Sequence, residues 1–231
     1  MKTLKTWAAA AAMVALTGAA QAALVDRGGG MIYDTTRNIT WLGDMNYAKT
    51  SGHTGIGVND ANGIMTWAAA TAWADNLVYG GFDDWRLPTL NPADTTCSKN
   101  LFPAFPDQFY GFNCTGGELS GLFVTDLGNK PGESVLNQGD DTAEQIANLA
   151  LFSNVQSRGY WSGTEYAPDP TLAWYFQPST GEQGIFGRGV GLYAVAVRPG
   201  DVTAAVPEPQ TYAMMLLGIS ALMVAVRRRS R

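Results

Sequence analysis

Apolar and polar positions alternate in short runs along most of this chain, with one longer helical exception. Met31 to Asp34 and Asn38 to Leu42 are two β-like runs joined by Thr35, Thr36 and Arg37, which predicts a hairpin. The stretch NYAKTSGHTGIGVND then predicts a Gly-rich loop carrying His53. From Asp60 the period changes. Ile64, Trp67, Ala68, Thr71, Ala74 and Val78 recur at helical spacing, with Asn59 or Asp60 placed to cap the start and Gly80–Gly81 to stop the end. This predicts one long helix over 60–79, with Trp67 and Trp73 in the core. Residues 91–140 are rich in Pro, Gly, Asn and Asp and predict loops, interrupted by a short strand at GLFVTDLG. DDTAEQIANLALF predicts a second, short helix capped by Asp140 or Asp141, with Glu144 in its first turn. GYWSGTEY, TLAWYFQ, GEQGIFG and GLYAVAVRPG predict four short strands separated by turns. Hairpin, helix, loops, short helix and an antiparallel set together predict an α+β domain.

The two ends stand outside this pattern. Lys2 and Lys5, the apolar run Trp7–Ala20 and the Ala20-Gln21-Ala22 triplet have the form of a secretory signal peptide over residues 1–22, cut between Ala22 and Ala23. At the other end, fifteen residues from Tyr212 to Val226 precede four arginines in the last five positions. A helix of that length reaches about 22 Å, short of a ~30 Å hydrocarbon core. Arginines favour the cytoplasmic flank, so the bulk of the chain is expected outside. Either a weak permanent anchor or a transient, cleaved one fits these residues. Val206-Pro207-Glu208-Pro209, the apolar run and the cluster Arg227, Arg228, Arg229 resemble a PEP-CTERM sorting signal over about residues 207–231. That resemblance implies processing by an exosortase-type membrane enzyme, transient inner-membrane anchoring, and delivery to the cell surface or extracellular matrix.

Setting both ends aside leaves about residues 23–206 as one domain and changes its charge. The first 22 residues carry two lysines, and residues 207–231 carry four arginines and one glutamate. Without them Lys plus Arg falls from 15 to 9, Asp plus Glu from 20 to 19, and the formal charge from −5 to −10. A domain of that charge is a poor partner for nucleic acid or an anionic membrane surface. Export permits a disulfide between Cys97 and Cys114. Free thiols or metal ligation fit less well, because neither cysteine lies in a C-x-x-C pair and the single histidine, His53, is far away in sequence.

In GGFDDWRLPT, Pro88 forces Leu87 toward an extended conformation, so Trp85 and Leu87 point one way and Arg86 the other. Arg86 with Asp83 and Asp84 has the residue types of a binding site. A structural corner accounts for the segment better: Trp85 buried, Arg86 paired to a carboxylate, Asp83 in the turn. ITWLGDMNYAK, MTWAAATAWADNLVYGGFDDWRLPT, YWSGTEY, AWYF and AVAVRPG, in that order, resemble the Lcl-type C-terminal domain family over about residues 24–201. The paired DWRLPT and YWSGTE segments, with Trp85, Arg86, Leu87, Pro88 and Trp161, carry most of this likeness. The resemblance implies a C-type-lectin-like α+β fold with one long and one short helix and a small curled antiparallel sheet. A collagen-like adhesin bears such a domain and uses it to recognise glycosaminoglycans.

No H-E-x-x-H, G-x-S-x-G, P-loop or Rossmann glycine pattern occurs, and one loop histidine makes a Ser-His-Asp triad improbable. Carboxylates are too numerous for any close pair to be informative. The expectation is a non-catalytic domain that recognises extracellular polysaccharide, with matrix adhesion through protein contacts and glycan modification as alternatives. Aromatic residues crowd the late strands. Trp161 and Trp174 are expected buried, while Tyr166 or Tyr175, with Glu165, are expected exposed for ligand contact. Asp44–Asn46, Asp60–Asn62 and Asp140–Asp141 suit either calcium or Asx turns and caps. With no EF-hand or lectin-type calcium tripeptide, turns and caps are expected and no metal is assigned.

Overall fold

The computed structural model describes residues 24–101 and 107–202. The signal cleavage residues Ala22 and Ala23, and the sorting residues Pro207, Glu208, Pro209 and Arg227–Arg229, lie outside them. The described residues begin with β1 (Leu24–Asp26), β2 (Met31–Asp34) and β3 (Ile39–Leu42). The expected hairpin is β2–β3. Its turn is held by the Asp34 carboxylate, which accepts the Thr36 and Arg37 amides at 3.0 Å each. Asn38 takes φ 52°, so the second strand starts one residue later than expected.

A one-turn helix α1 (Tyr47–Thr50) follows, then strands β4 (Val58–Asn59) and β5 (Ile64–Met65) and helix α2 (Trp67–Asp75). The long helix predicted over 60–79 is therefore a small hairpin followed by nine residues of helix. Side-chain turns displace the first part: Asn59 accepts the Ala61 amide, Asn62 accepts the Ile64 amide, and Gly63 adopts φ 80°. Thr66 caps α2, not Asn59 or Asp60, and its side chain accepts the Ala69 amide. Val78 lies beyond the helix and is 71% exposed.

After β6 (Lys99–Asn100) and β7 (Phe109–Phe112), α3 (Glu118–Ser120) runs into a π-helical segment, Gly121–Asp126. This replaces the strand predicted at GLFVTDLG. The reason is visible in the spacing: Leu119, Leu122, Phe123 and Leu127 fall on one helical face, and all four are fully buried. Helix α4 (Ala143–Leu149) is the expected short helix, with Glu144 in its first turn. Its cap is Thr142 in a capping box with Gln145, not Asp140 or Asp141. The late strands are β8 (Tyr160–Glu165), β9 (Leu172–Gln177), β10 (Glu182–Gly187) and β11 (Val197–Pro199).

Among the described residues the pairings between these strands are antiparallel, forming a four-stranded sheet β1-β2-β3-β11, a five-stranded sheet β6-β7-β10-β9-β8 and the β4-β5 hairpin, and two isolated bridges, Asp44–Ser153 and Tyr160–Tyr193, are parallel. The architecture is mixed α/β with few helices, as expected, but without a long one. One core joins Trp41, Phe123, Tyr160, Trp174, Phe176, Val195 and Val197. Phe123 stacks on Phe176 at 5.1 Å between centroids. A second core, under α2, joins Leu42, Met65, Trp73, Trp85, Leu87, Trp161 and Ala196. Cys97 and Cys114 are disulfide-bonded across 17 positions, closing the β6–β7 hairpin rather than a structureless loop. A crosslink of that span contributes about 3 kcal/mol by loop entropy. Reduction, or Cys97→Ala with Cys114→Ala, is expected to destabilise the domain by about that amount in thermal or urea unfolding. An unchanged unfolding curve would show the hairpin to be held by packing alone.

Candidate functional site

The DWRLPT segment is a structural corner. Trp85 is buried and its indole N–H donates to the Tyr79 carbonyl at 3.3 Å. The Arg86 backbone exchanges two hydrogen bonds with Val197, each 2.8 Å, which docks the segment on β11. Its guanidinium points the other way and meets Glu118 in two parallel hydrogen bonds of 2.7 Å, while also donating to the Leu87 carbonyl. Glu118 accepts the Thr89 amide as well. Leu87 is buried, the Pro88 carbonyl accepts the Gly163 amide, and Leu90 and Thr164 exchange hydrogen bonds of 2.9 Å. The segment thus stitches β11, α3 and β8 together. The neighbouring Asp84 pairs with Arg198.

The ligand-contact residues predicted on the late strands separate onto two faces. Trp161 and Trp174 are fully buried, as expected. Of Tyr166 and Tyr175, one of which was expected exposed, Tyr166 is only 4% exposed and packs edge-on against Trp174 in the first core. An irregularity in β8 between Trp161 and Glu165 changes the alternation there and turns Tyr166 inward. Tyr175 is half-buried on the opposite face, and Glu165 stands exposed beside it in the row Glu165–Ala173–Phe186.

Register places further groups on the Tyr175 face: Glu182, Gly184 and Phe186 from β10, and Tyr110 and Phe112 from β7. Phe186 is 43% exposed and lies 5.5 Å from the Tyr175 ring. Lys99 holds its ammonium over Tyr110 and Phe112, at 5.4 and 6.0 Å from the centroids. Glycines on both flanks determine how Tyr175 lies. A Cβ on Gly159 would meet its Cδ2 at 2.9 Å, and one on Gly184 would meet Cε1 at 3.1 Å. Those atoms sit on opposite edges of the ring, and the two glycines belong to the chain on either side of β9. With strands about 4.8 Å apart, the ring spans the sheet from one glycine to the other, and it packs against the second core. Trp67 closes one end of this surface. It is half-buried and packs against the second core, donates to the Ser162 carbonyl at 2.8 Å and carries the Arg188 guanidinium 4.2 Å above its ring. Arg188 also donates to the Leu172 carbonyl and faces Glu165 at 3.3 Å.

Phe186, Tyr110, Phe112, Trp67 and Glu182 were not singled out from the sequence as site residues. The signal was present in FYGF and GEQGIF, where a glycine stands between outward positions, but the first lay in a region read as loop.

The oxygen-rich segments serve turns and pairs. Asp44 accepts the Asn46 amide and the Asn154 side chain, Asn46 donates to the Asn62 carbonyl, and Asp141 pairs with Lys130 at 3.1 Å. Asp94, Cys97 and Cys114 also come together, but the two sulfurs are bonded to each other. The Asp94 carboxylate accepts four hydrogen bonds, from Thr96 twice, Thr115 and Gly116. His53 lines a separate groove beside α2. Among the described residues no helix is long and apolar enough to cross a membrane.

Residues 30–198 match the Lcl C-terminal domain family, and the chain belongs to it. Residues 205–230 match the PEP-CTERM protein-sorting motif, a signal for exosortase processing that marks the protein for export and sorting to the cell surface. No curated protein and no solved structure matches the chain.

Three carboxylates of the framework have lowered pKa values. Burial alone would raise Glu118, but Arg86 and Thr89 more than reverse this. Burial is likewise outweighed at Asp94 by its hydrogen bonds, and Asp84 is held low by Arg198. A carboxyl depressed in the folded state contributes its full stability above the ordinary carboxylate range, about pH 4 to 4.5, and that stability is lost as pH falls from there through the lowered folded-state pKa. Melting temperature should therefore drop steadily below about pH 4.5. Glu118→Gln should lower it at neutral pH, by about 2 kcal/mol of stability, and flatten the acid dependence. A Glu118→Gln protein with the parental acid profile would remove the corner from this account.

Proposed function

We propose that this exported surface protein carries a non-catalytic, lectin-like domain that recognises extracellular polysaccharide through the outer face of its five-stranded sheet. The observation that carries the reading is the ring of Tyr175. It spans two glycines, is half-buried, and has the exposed Phe186 ring beside it, which leaves an aromatic surface of the kind that suits a sugar face. The groups around it do not form a reaction centre. Arg188 is engaged by Trp67, Leu172 and Glu165, and the carboxylates that converge elsewhere, Asp34 and Asp126, are both committed to Arg37. Calcium has no part in this reading. Transient anchoring of the tail in the inner membrane, with residues 23–206 delivered outside, completes it.

A second reading, matrix adhesion through protein contacts, is favoured by a different feature. A groove of about 450 Å3 beside α2 is lined by Tyr47, His53, Val58, Trp73 and Leu77 and flanked by Ile56 and Val78. Ile56 is fully exposed and Val78 71% exposed.

A glycan array probed with the exported protein separates the two readings. Saturable polysaccharide binding is expected. Tyr175→Ala is expected to weaken it at least about tenfold, about 1.4 kcal/mol, with the fold retained by circular dichroism. An array that stays silent while the protein self-associates would favour the adhesion reading.

A further inference from the structure

The sheet face also carries charge, and its arrangement bears on which polysaccharide it accepts. Resting on the reading of this face as the ligand platform, we infer that the site takes uncharged, hydroxyl-rich polysaccharide and excludes anionic polymer, with Glu182 as the residue that sets the choice. Glu182 is on the strand next to Tyr175 and on the same face, two residues from Gly184. The hydroxyl end of Tyr175 lies over Gly184, 3.5 Å from where a Cβ would stand. Burial raises the Tyr175 hydroxyl pKa, and the Glu182 charge raises it further, as two neighbouring groups should. Among the described residues the Glu182 side chain makes no hydrogen bond and no ion pair. A free carboxylate at the edge of a stacking ring can accept two hydroxyl protons from a sugar lying on that ring.

The nearby cations do not cancel it. Arg188 stacks on Trp67 and faces Glu165. Lys99 is on β6, two strands from Glu182 in the order β6-β7-β10, and its ammonium is held over Tyr110 and Phe112. Two strand spacings are about 10 Å, comparable with a Debye length of about 8 Å at physiological salt, so Lys99 softens the Glu182 charge without pairing with it. A sulfate or carboxylate on a sugar seated at Tyr175 therefore meets Glu182 first, on a domain whose formal charge outside the two terminal segments is −10.

The test compares binding of a neutral glucan, a polyuronate and a sulfated polymer of matched length to the exported protein and to Glu182→Gln, Glu182→Lys and Tyr175→Ala. The parent should bind the neutral polymer at least about tenfold more tightly than either anionic one. Glu182→Gln should weaken neutral binding about tenfold, and Glu182→Lys should gain anionic polymer, a change that misfolding cannot mimic. Equal binding of all three polymers by the parent, or parental behaviour of both Glu182 variants, would overturn the inference. If Tyr175→Ala loses binding while the Glu182 variants do not, this inference fails alone. If Tyr175→Ala binds as the parent does, the platform reading fails with it.

Discussion

Trp161 is the side chain on which the arrangement of layers depends. Its indole is fully buried, and its ring N–H donates to the Met65 carbonyl at 2.9 Å. A buried indole N–H without a partner is costly, so this bond and the packing around it hold the β5–α2 layer on the β8 side of the large sheet. Met65 exchanges two backbone hydrogen bonds with Leu192, and Trp161 takes the Tyr193 carbonyl, so the late chain is locked to the same point. The consequence is a mismatch in size. A helix is about 10 Å across with its side chains, whereas five strands span about 19 Å. One short helix fixed over β8 leaves the far part of that face less covered: Tyr175 packs at the border of the second core, and the half-buried Phe112 and exposed Phe186 stand beyond it.

What could be read from the sequence was whatever obeys a local rule. The β2–β3 hairpin, the late strands, the buried Trp161 and Trp174, the corner at Trp85–Pro88 and the disulfide all follow from alternation, proline sterics or compartment. The failures have equally local causes. Asn59, Asn62 and Gly63 form side-chain turns that break a helical pattern, and Thr66 restarts it seven residues later. GLFVTDLG was read as a strand because its composition is apolar and β-branched, although Leu119, Leu122, Phe123 and Leu127 already had helical spacing. Tyr166 was misplaced because an irregularity within a strand reverses the facing of everything after it, and no residue type announces one.

The platform itself could not be read from the sequence, because it joins residues from β7, β9, β10 and α2, with Trp67 and Phe186 119 positions apart. The family match and the sorting motif agree with the electrostatics of the chain: an acidic domain placed at the cell surface. Charge and aromatic surface then act in different ways. The framework pairs its charges internally, as Arg86 does with Glu118 and Arg198 with Asp84. On the sheet face Glu182 is left free and the rings present their faces, which favours contact through stacking and hydroxyl groups over attraction of a polyanion.

Hydroxyl-radical footprinting of the exported protein, with and without saturating polysaccharide, tests the central claim most directly. Protection concentrated at Tyr175, Phe186, Tyr110 and Phe112, with Ile56 and Val78 unchanged, is the predicted result. Protection at Ile56 and Val78 with none on the sheet would place recognition in the groove beside α2 and contradict the account.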